Sequence, residues 1–216
     1  MTHEPVELVI FDCDGVLVDS ERIYCRVDRE VFAAVGAEFS EAEMADLFIG
    51  SSKELLTALV EERRGKPLEP DWQVPYKQRY EDALDAELTA VEGVTEVLDA
   101  LAVPYCLASN GSHATVARNL DRAGLLSRFE GRRFSAHDVP RAKPAPDLFL
   151  HAAAAMGVPP ERCAVVEDSP YGVEAARAAG MRAFGYSGGL TRADRLMGPR
   201  TVVFDAMREL PGLLSG

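Results

Sequence analysis

Two rhythms of apolar residues alternate along this chain. Short, mostly apolar runs that end in polar residues recur at positions 6–11, 105–108, 163–166, 183–186 and 201–204, with 132–134 a weaker instance. Runs of this length fit strands buried on both faces, as parallel strands are. Between them the spacing turns helical: Val94, Val97, Leu98 and Leu101; Val116 and Leu120; Leu148, Ala152, Ala155 and Met156; Val173, Ala176 and Ala179. Gly124, Gly157 and Gly180 fall where these helices should stop, since glycine accepts the left-handed conformation that closes a helix. Strand and helix alternating in this way predict an α/β fold: a Rossmann-like, doubly wound parallel sheet with helices on both faces.

Positions 16–88 break the alternation. They hold no convincing strand, while Ile23, Val27, Val31 and Val35 recur every four residues. Ser40 with Glu43, and Ser51 with Glu54, have the capping-box spacing that opens a helix, and Leu55, Leu56, Leu59 and Val60 continue the second of these as an apolar face. A last helix is expected within 71–88, starting at Pro75 or later because proline suits a first turn. The expected organisation is a core of residues 1–15 and 89–216, interrupted after its first strand by an α-helical cap domain at 16–88.

Composition narrows the function. The 216 residues, 47% hydrophobic and 27% charged, are those of a folding globular chain. A net charge of −12 lacks the clustered Lys and Arg that a nucleic-acid backbone requires, so no nucleic-acid partner is expected. The early apolar run at 8–11 is too short for a signal-peptide core or a membrane span, and the expected location is cytoplasmic, without a membrane partner. Cys13, Cys25, Cys106 and Cys163 form no CxxC pair, which suggests reduced thiols and no zinc site.

Ligands of open α/β sheets collect beyond the carboxyl ends of the strands. The residues there are Asp12 and Asp14, Ser109 and Asn110, and Glu167 and Asp168, with Lys143 in a proline-bounded loop before a helix. Singly, each has an ordinary explanation as a helix cap, a turn residue or a solvated charge. As a set they supply a nucleophile, a base, phosphate donors, a cation and metal ligands. The chemistry this suits is attack of a carboxylate on an anionic phosphate ester. Two unit charges about 4 Å apart repel by on the order of 4 kcal/mol at an effective dielectric near 20, roughly a thousandfold in rate. A lysine and a hard divalent cation reverse that balance, and carboxylate oxygens without clustered His or Cys suit magnesium rather than zinc.

The run Phe11-Asp12-Cys13-Asp14-Gly15-Val16-Leu17-Val18-Asp19-Ser20 resembles the first motif of the haloacid dehalogenase superfamily. Ser109 in Leu107-Ala108-Ser109-Asn110-Gly111, Lys143 in Lys143-Pro144-Ala145-Pro146, and Val166-Glu167-Asp168-Ser169 resemble its second, third and fourth motifs, in that order. The resemblance covers nearly the whole chain, helical insert included, and is to the helical-cap members such as β-phosphoglucomutase and the bacterial sugar-phosphate phosphatases. It implies Asp12 as the nucleophile that accepts the phosphoryl group and Asp14 as general acid and base. It implies magnesium held by Asp12, Asp168 and the backbone carbonyl of Asp14, with Glu167 a further ligand or an orienting group. Ser109, the backbone around Asn110 and Lys143 would hold the transferring oxygens.

The same resemblance orders the alternatives. Dehalogenases and phosphonate-cleaving relatives are expected to lack a carboxylate at the position of Asp14. Phosphomutases keep it but place a cap histidine where this chain has Tyr24, which favours hydrolysis. A receiver-like signalling module combines similar groups, but in another order and without a large insert. A catalytically silent phosphate-binding module would not need the full set. In the insert, Ile49-Gly50-Ser51-Ser52-Lys53 resembles the family's specificity loop, making Lys53, then Ser52 and Arg26, the candidate substrate-binding residues of the cap. The expected substrate is a small phosphorylated metabolite, a sugar or sugar-acid phosphate such as 6-phosphogluconate, and the expected state a monomer.

Overall fold

The structure is a computed structural model that describes residues 5–47 and 53–215. β1 (Leu8–Phe11) leads into four helices, α1 (Ser20–Ala34), α2 (Glu41–Leu47), α3 (Lys53–Arg64) and α4 (Lys77–Glu87). After α5 (Val94–Ala100), β2 (Tyr105–Ser109) and α6 (His113–Arg122) come β3 (Arg133–Ser135) and α7 (Asp147–Ala155). β4 (Cys163–Glu167), α8 (Pro170–Ala178), β5 (Arg182–Tyr186), α9 (Ala193–Leu196), β6 (Thr201–Phe204) and α10 (Leu210–Leu214) complete the chain.

Among the described residues all six strands form one parallel sheet in the order β3-β2-β1-β4-β5-β6. β1 is the centre, and every residue in it is fully buried. Side chains alternate across a strand, so Leu8 and Ile10 face one layer of helices. There they pack with Cys106, Ala108, Cys163 and Val165, under Leu148, Phe149 and Ala152 of α7 and Val173 and Ala176 of α8. Gly124, Gly157 and Gly180 come after α6, α7 and α8 with φ of 70°, 72° and 77°, the left-handed values expected of them.

The chain divides into two compact units, residues 1–19 with 89–216, and residues 20–88. The boundary lies four residues beyond the expected one at Val16. Residues 16–19 stay with the sheet unit because Val18 bridges to Ala90 and the Asp19 N–H donates to Thr89 O at 3.0 Å. The second unit is helical and contains no strand among its described residues. Ser40 and Glu43 exchange their capping-box bonds at its second helix, while the Ser51–Glu54 pair lies outside the described residues. Its last helix starts at Lys77, after a single 3₁₀ turn over Val74–Tyr76 that uses Pro75. Phe32, Ala37, Phe39, Met44 and Val60 form its core. No helix among the described residues is long and apolar enough to cross a membrane. The four cysteines are free thiols.

Candidate active site

The sheet's register assembles the site. The chain leaves β1 for β2 on one side and later returns to β4 on the other, so the strand order reverses at β1, where open α/β sheets bind ligands. Phe11 pairs with Val166 of β4 and with Leu107 of β2. One step on, Asp12 is level with Glu167 on one side and Ala108 on the other, and its N–H donates to Val166 O at 3.0 Å. Two segments about 155 residues apart in sequence thus meet through parallel pairing alone. Oxygens of Asp12, Glu167 and Asp168 lie within 4.8 Å of one another, and all three residues are buried.

Lys143 enters this group from the loop before α7. Its Nζ donates to Asp12 Oδ1 at 2.5 Å, Glu167 Oε1 at 2.7 Å and the Ala108 carbonyl at 2.8 Å, which engages all three N–H donors of the ammonium. The loop is held by Asn110, whose Oδ1 accepts from the Lys143 N–H at 3.1 Å while its Nδ2 donates to Lys143 O at 3.3 Å. The Asn110 side chain is thus spent on fixing Lys143. Ser109 Oγ accepts from the Gly111 N–H at 3.0 Å, and Gly111 O accepts from Ser135 Oγ at 2.7 Å, so this turn is braced from β3. Glu167 Oε2 accepts from the N–H and the hydroxyl of Ser169 at 2.9 and 2.8 Å, and Ser169 also caps α8.

Charge in this pocket is unbalanced. Burial pushes the Asp12 carboxyl up to about 7, with Lys143 opposing the rise and Glu167 and Asp14 adding to it. Burial alone would lower the Lys143 ammonium, but Asp12 and Glu167 outweigh it and hold it above its ordinary value. Burial thus dominates at Asp12, whereas at Lys143 the two carboxylates beside the single buried cation prevail over it. The donors are hard oxygens, and two glycines keep backbone rather than side chain against them. A Cβ on Gly15, at φ 77°, would run into the Asp168 carboxylate, and one on Gly172 into that of Glu167. Charge, donor type and clearance together fit a hard divalent cation such as magnesium.

Asp14, also expected here, turns one oxygen toward Asn119 of α6, whose Nδ2 donates to Oδ1 at 3.3 Å. Arg26 is exposed and its guanidinium is engaged by Glu87 at 2.5 Å and Glu30 at 3.4 Å, both in the helical unit. Ser52 and the side chain of Lys53 lie outside the described residues. Asn119 and Ser135 support the site from positions that motif spacing does not single out, and Ser169, which closes the fourth motif without an assigned role, braces Glu167. Asn119 carries a signal nonetheless, since it sits beside Leu120 on the apolar face that Val116 begins, where a polar residue needs a buried partner.

A family model of the haloacid dehalogenase-like hydrolases matches residues 6–180. The 6-phosphogluconate phosphatase of Escherichia coli is 32% identical over 209 residues, covering 96% of this chain and 94% of that one. A haloacid dehalogenase-like protein of Agrobacterium tumefaciens superposes with a TM-score of 0.89 at 38% identity, over 97% of both chains. A hydrolase of the same family from Deinococcus radiodurans, solved with bound phosphate and sodium, gives 0.80 at 32% identity over 97% of this chain and 96% of that one.

Proposed function

The chain belongs to the haloacid dehalogenase-like hydrolases, and from that premise we propose that it is a magnesium-dependent phosphatase of a small sugar or sugar-acid phosphate, working through a phospho-aspartate on Asp12. The observation that carries the reading is the meeting of Asp12, Glu167 and Asp168 oxygens within 4.8 Å, beside a buried lysine, at the sheet's switch point. The substrate class rests on the likeness to the 6-phosphogluconate phosphatase.

In this mechanism an Asp12 oxygen attacks phosphorus as the ester P–O bond breaks. Asp14 gives its proton to the departing alkoxide, then takes one from the water that hydrolyses the acyl phosphate, releasing inorganic phosphate and restoring the Asp12 carboxylate and the protonated Asp14. Ser109, through its hydroxyl, the backbone N–H groups of its turn, and Lys143 hold the transferring oxygens and stabilise the charge that grows on them. Asp12, Asp168 and the Asp14 carbonyl would hold magnesium, with Glu167 either ligating or aiming Lys143. When bound, the ion neutralises negative charge shared between the carboxylates and the phosphoryl group. The helical insert at 20–88 is assigned the role of substrate-selecting cap, through Lys53, Ser52 and Arg26.

The test is a screen of phosphorylated metabolites with magnesium, analysed for free phosphate and for isomerised sugar phosphate. Release of phosphate from a sugar or sugar-acid phosphate, lost on chelation and in Asp12→Asn, is the expected result. Wild-type-like turnover in Asp12→Asn removes the mechanism, and isomerisation without net phosphate release makes the protein a mutase.

A further inference from the structure

Asp14 is met by a side chain that belongs to none of the four motifs. Asn119 lies in the last turn of α6 and is 1% exposed. Its Nδ2 donates to Asp14 Oδ1 at 3.3 Å, and its own Oδ1 accepts from Arg122 Nη1 at 3.3 Å. The second bond decides the sense of the first. An amide donates at one end and accepts at the other, whereas a guanidinium only donates. Arg122 thus turns the Asn119 amide so that its NH₂ faces Asp14. Asp14 Oδ1 is then held as an acceptor, which sets the rotation of its carboxyl.

We propose that Asn119 is a positioning residue for the proton transfer: backed by Arg122, it fixes the rotation of the Asp14 carboxyl that gives and receives the proton. The inference rests on the reading of Asp14 as general acid and base. It also accounts for an otherwise awkward residue. Asparagine is a poor helix former, and a leucine at 119 would continue the apolar face of Val116 and Leu120 without any buried polar group to satisfy.

The test compares leaving groups. An alkyl phosphate departs as a strongly basic alkoxide that needs the Asp14 proton, while 2,4-dinitrophenyl phosphate departs as a stable phenolate that does not. Asn119→Leu should lower kcat/KM roughly 10- to 100-fold on the alkyl phosphate and less than about threefold on the dinitrophenyl ester, a fraction of what general acid catalysis supplies. Retained turnover of the activated ester also reports a folded variant. Arg122→Met, at a partly exposed position, should give the same pattern with a smaller loss, and it carries the test if Asn119→Leu does not fold. Equal losses on the two esters, or no loss on the alkyl phosphate, overturn the proposal. Asp14→Asn measured in parallel separates the two readings. Normal alkyl phosphate turnover in that variant brings down the acid–base assignment itself, whereas a leaving-group pattern in Asp14→Asn without one at Asn119 removes only the positioning role.

Discussion

Lys143 concentrates the energetics of the site in one side chain. Its three N–H donors have three acceptors, two of them charged, and the residue is 8% exposed. A planar guanidinium cannot reproduce that three-way arrangement, so Lys143→Arg should fail as a conservative change. Lys143→Met leaves Asp12 and Glu167 facing each other without a buried cation, and breaking such a pair costs about 3–5 kcal/mol. The deficit should depend on pH. With the cation gone, the folded state favours the protonated carboxyls even more than the wild type, whose Asp12 already stands at about 7. A carboxyl raised in the folded state adds stability below its unfolded value, and that contribution is lost as pH rises through the folded value. In chelator, the melting temperature of Lys143→Met relative to wild type should therefore fall further behind from pH 5 to pH 8. A constant deficit across that range would mean that the lysine is not what balances these carboxylates.

At the scale of elements, the helical unit holds a half-buried acid of its own. Tyr80 of α4 donates its hydroxyl to Asp28 of α1 at 2.5 Å, tying the two helices together. Burial raises the Asp28 carboxyl to about 6, against the opposing hydrogen bond from Tyr80. The proton thus adds stability that is complete below the unfolded value near 4 and is lost as pH climbs through about 6. Asp28→Asn keeps an acceptor for Tyr80 and removes the charge. It should melt like the wild type near pH 4, above it at pH 8, and with a flatter profile between. A variant less stable than wild type at pH 8 would show that the ionised pair is net favourable.

Elements are also what the sequence makes most legible. The apolar run at 163–166 predicts a strand, and β4 spans Cys163–Glu167 with every residue buried, because a buried strand announces itself as an uninterrupted apolar stretch. The run that predicts β1 starts at Val6, but the strand begins at Leu8, since Glu7 is turned aside: its N–H donates to Arg162 O at 2.8 Å and its carboxylate pairs with Arg162. The positions that end β1, β2 and β4 are legible for the same reason as the strands, because an apolar run fixes where a parallel strand stops, and the residues just beyond that point line the ligand edge. Partnerships between distant side chains are not. Asn110 clamping the backbone of Lys143, Arg26 held by Glu87, and Asn119 meeting Asp14 depend on which surfaces the fold brings together, and local periodicity carries no record of that.

For the whole molecule, the central strand is the one whose docking is hardest to achieve. β1 is separated from β2 by the helical insert and from β4 by most of the chain, so its two parallel pairings close long loops before any contact rewards them. Asp12 rides at its end, and the three carboxylates converge only once β1 lies between β2 and β4. A cation held there binds the folded state alone and stabilises it by mass action, about 2.7 kcal/mol at a hundred times its dissociation constant. For a chain of this size that corresponds to a rise of roughly 5–10 °C in melting temperature. Because the net charge is −12, any salt relieves some self-repulsion, so the comparison must be made at matched ionic strength. Under that control magnesium should raise the melting temperature of the wild type and of Ser109→Ala, whose hydroxyl is not among the clustered carboxylates, but not that of Asp168→Asn. A magnesium shift that survives in Asp168→Asn would locate the ion elsewhere, and none in the wild type would leave the clustered carboxylates without the cation their charge calls for.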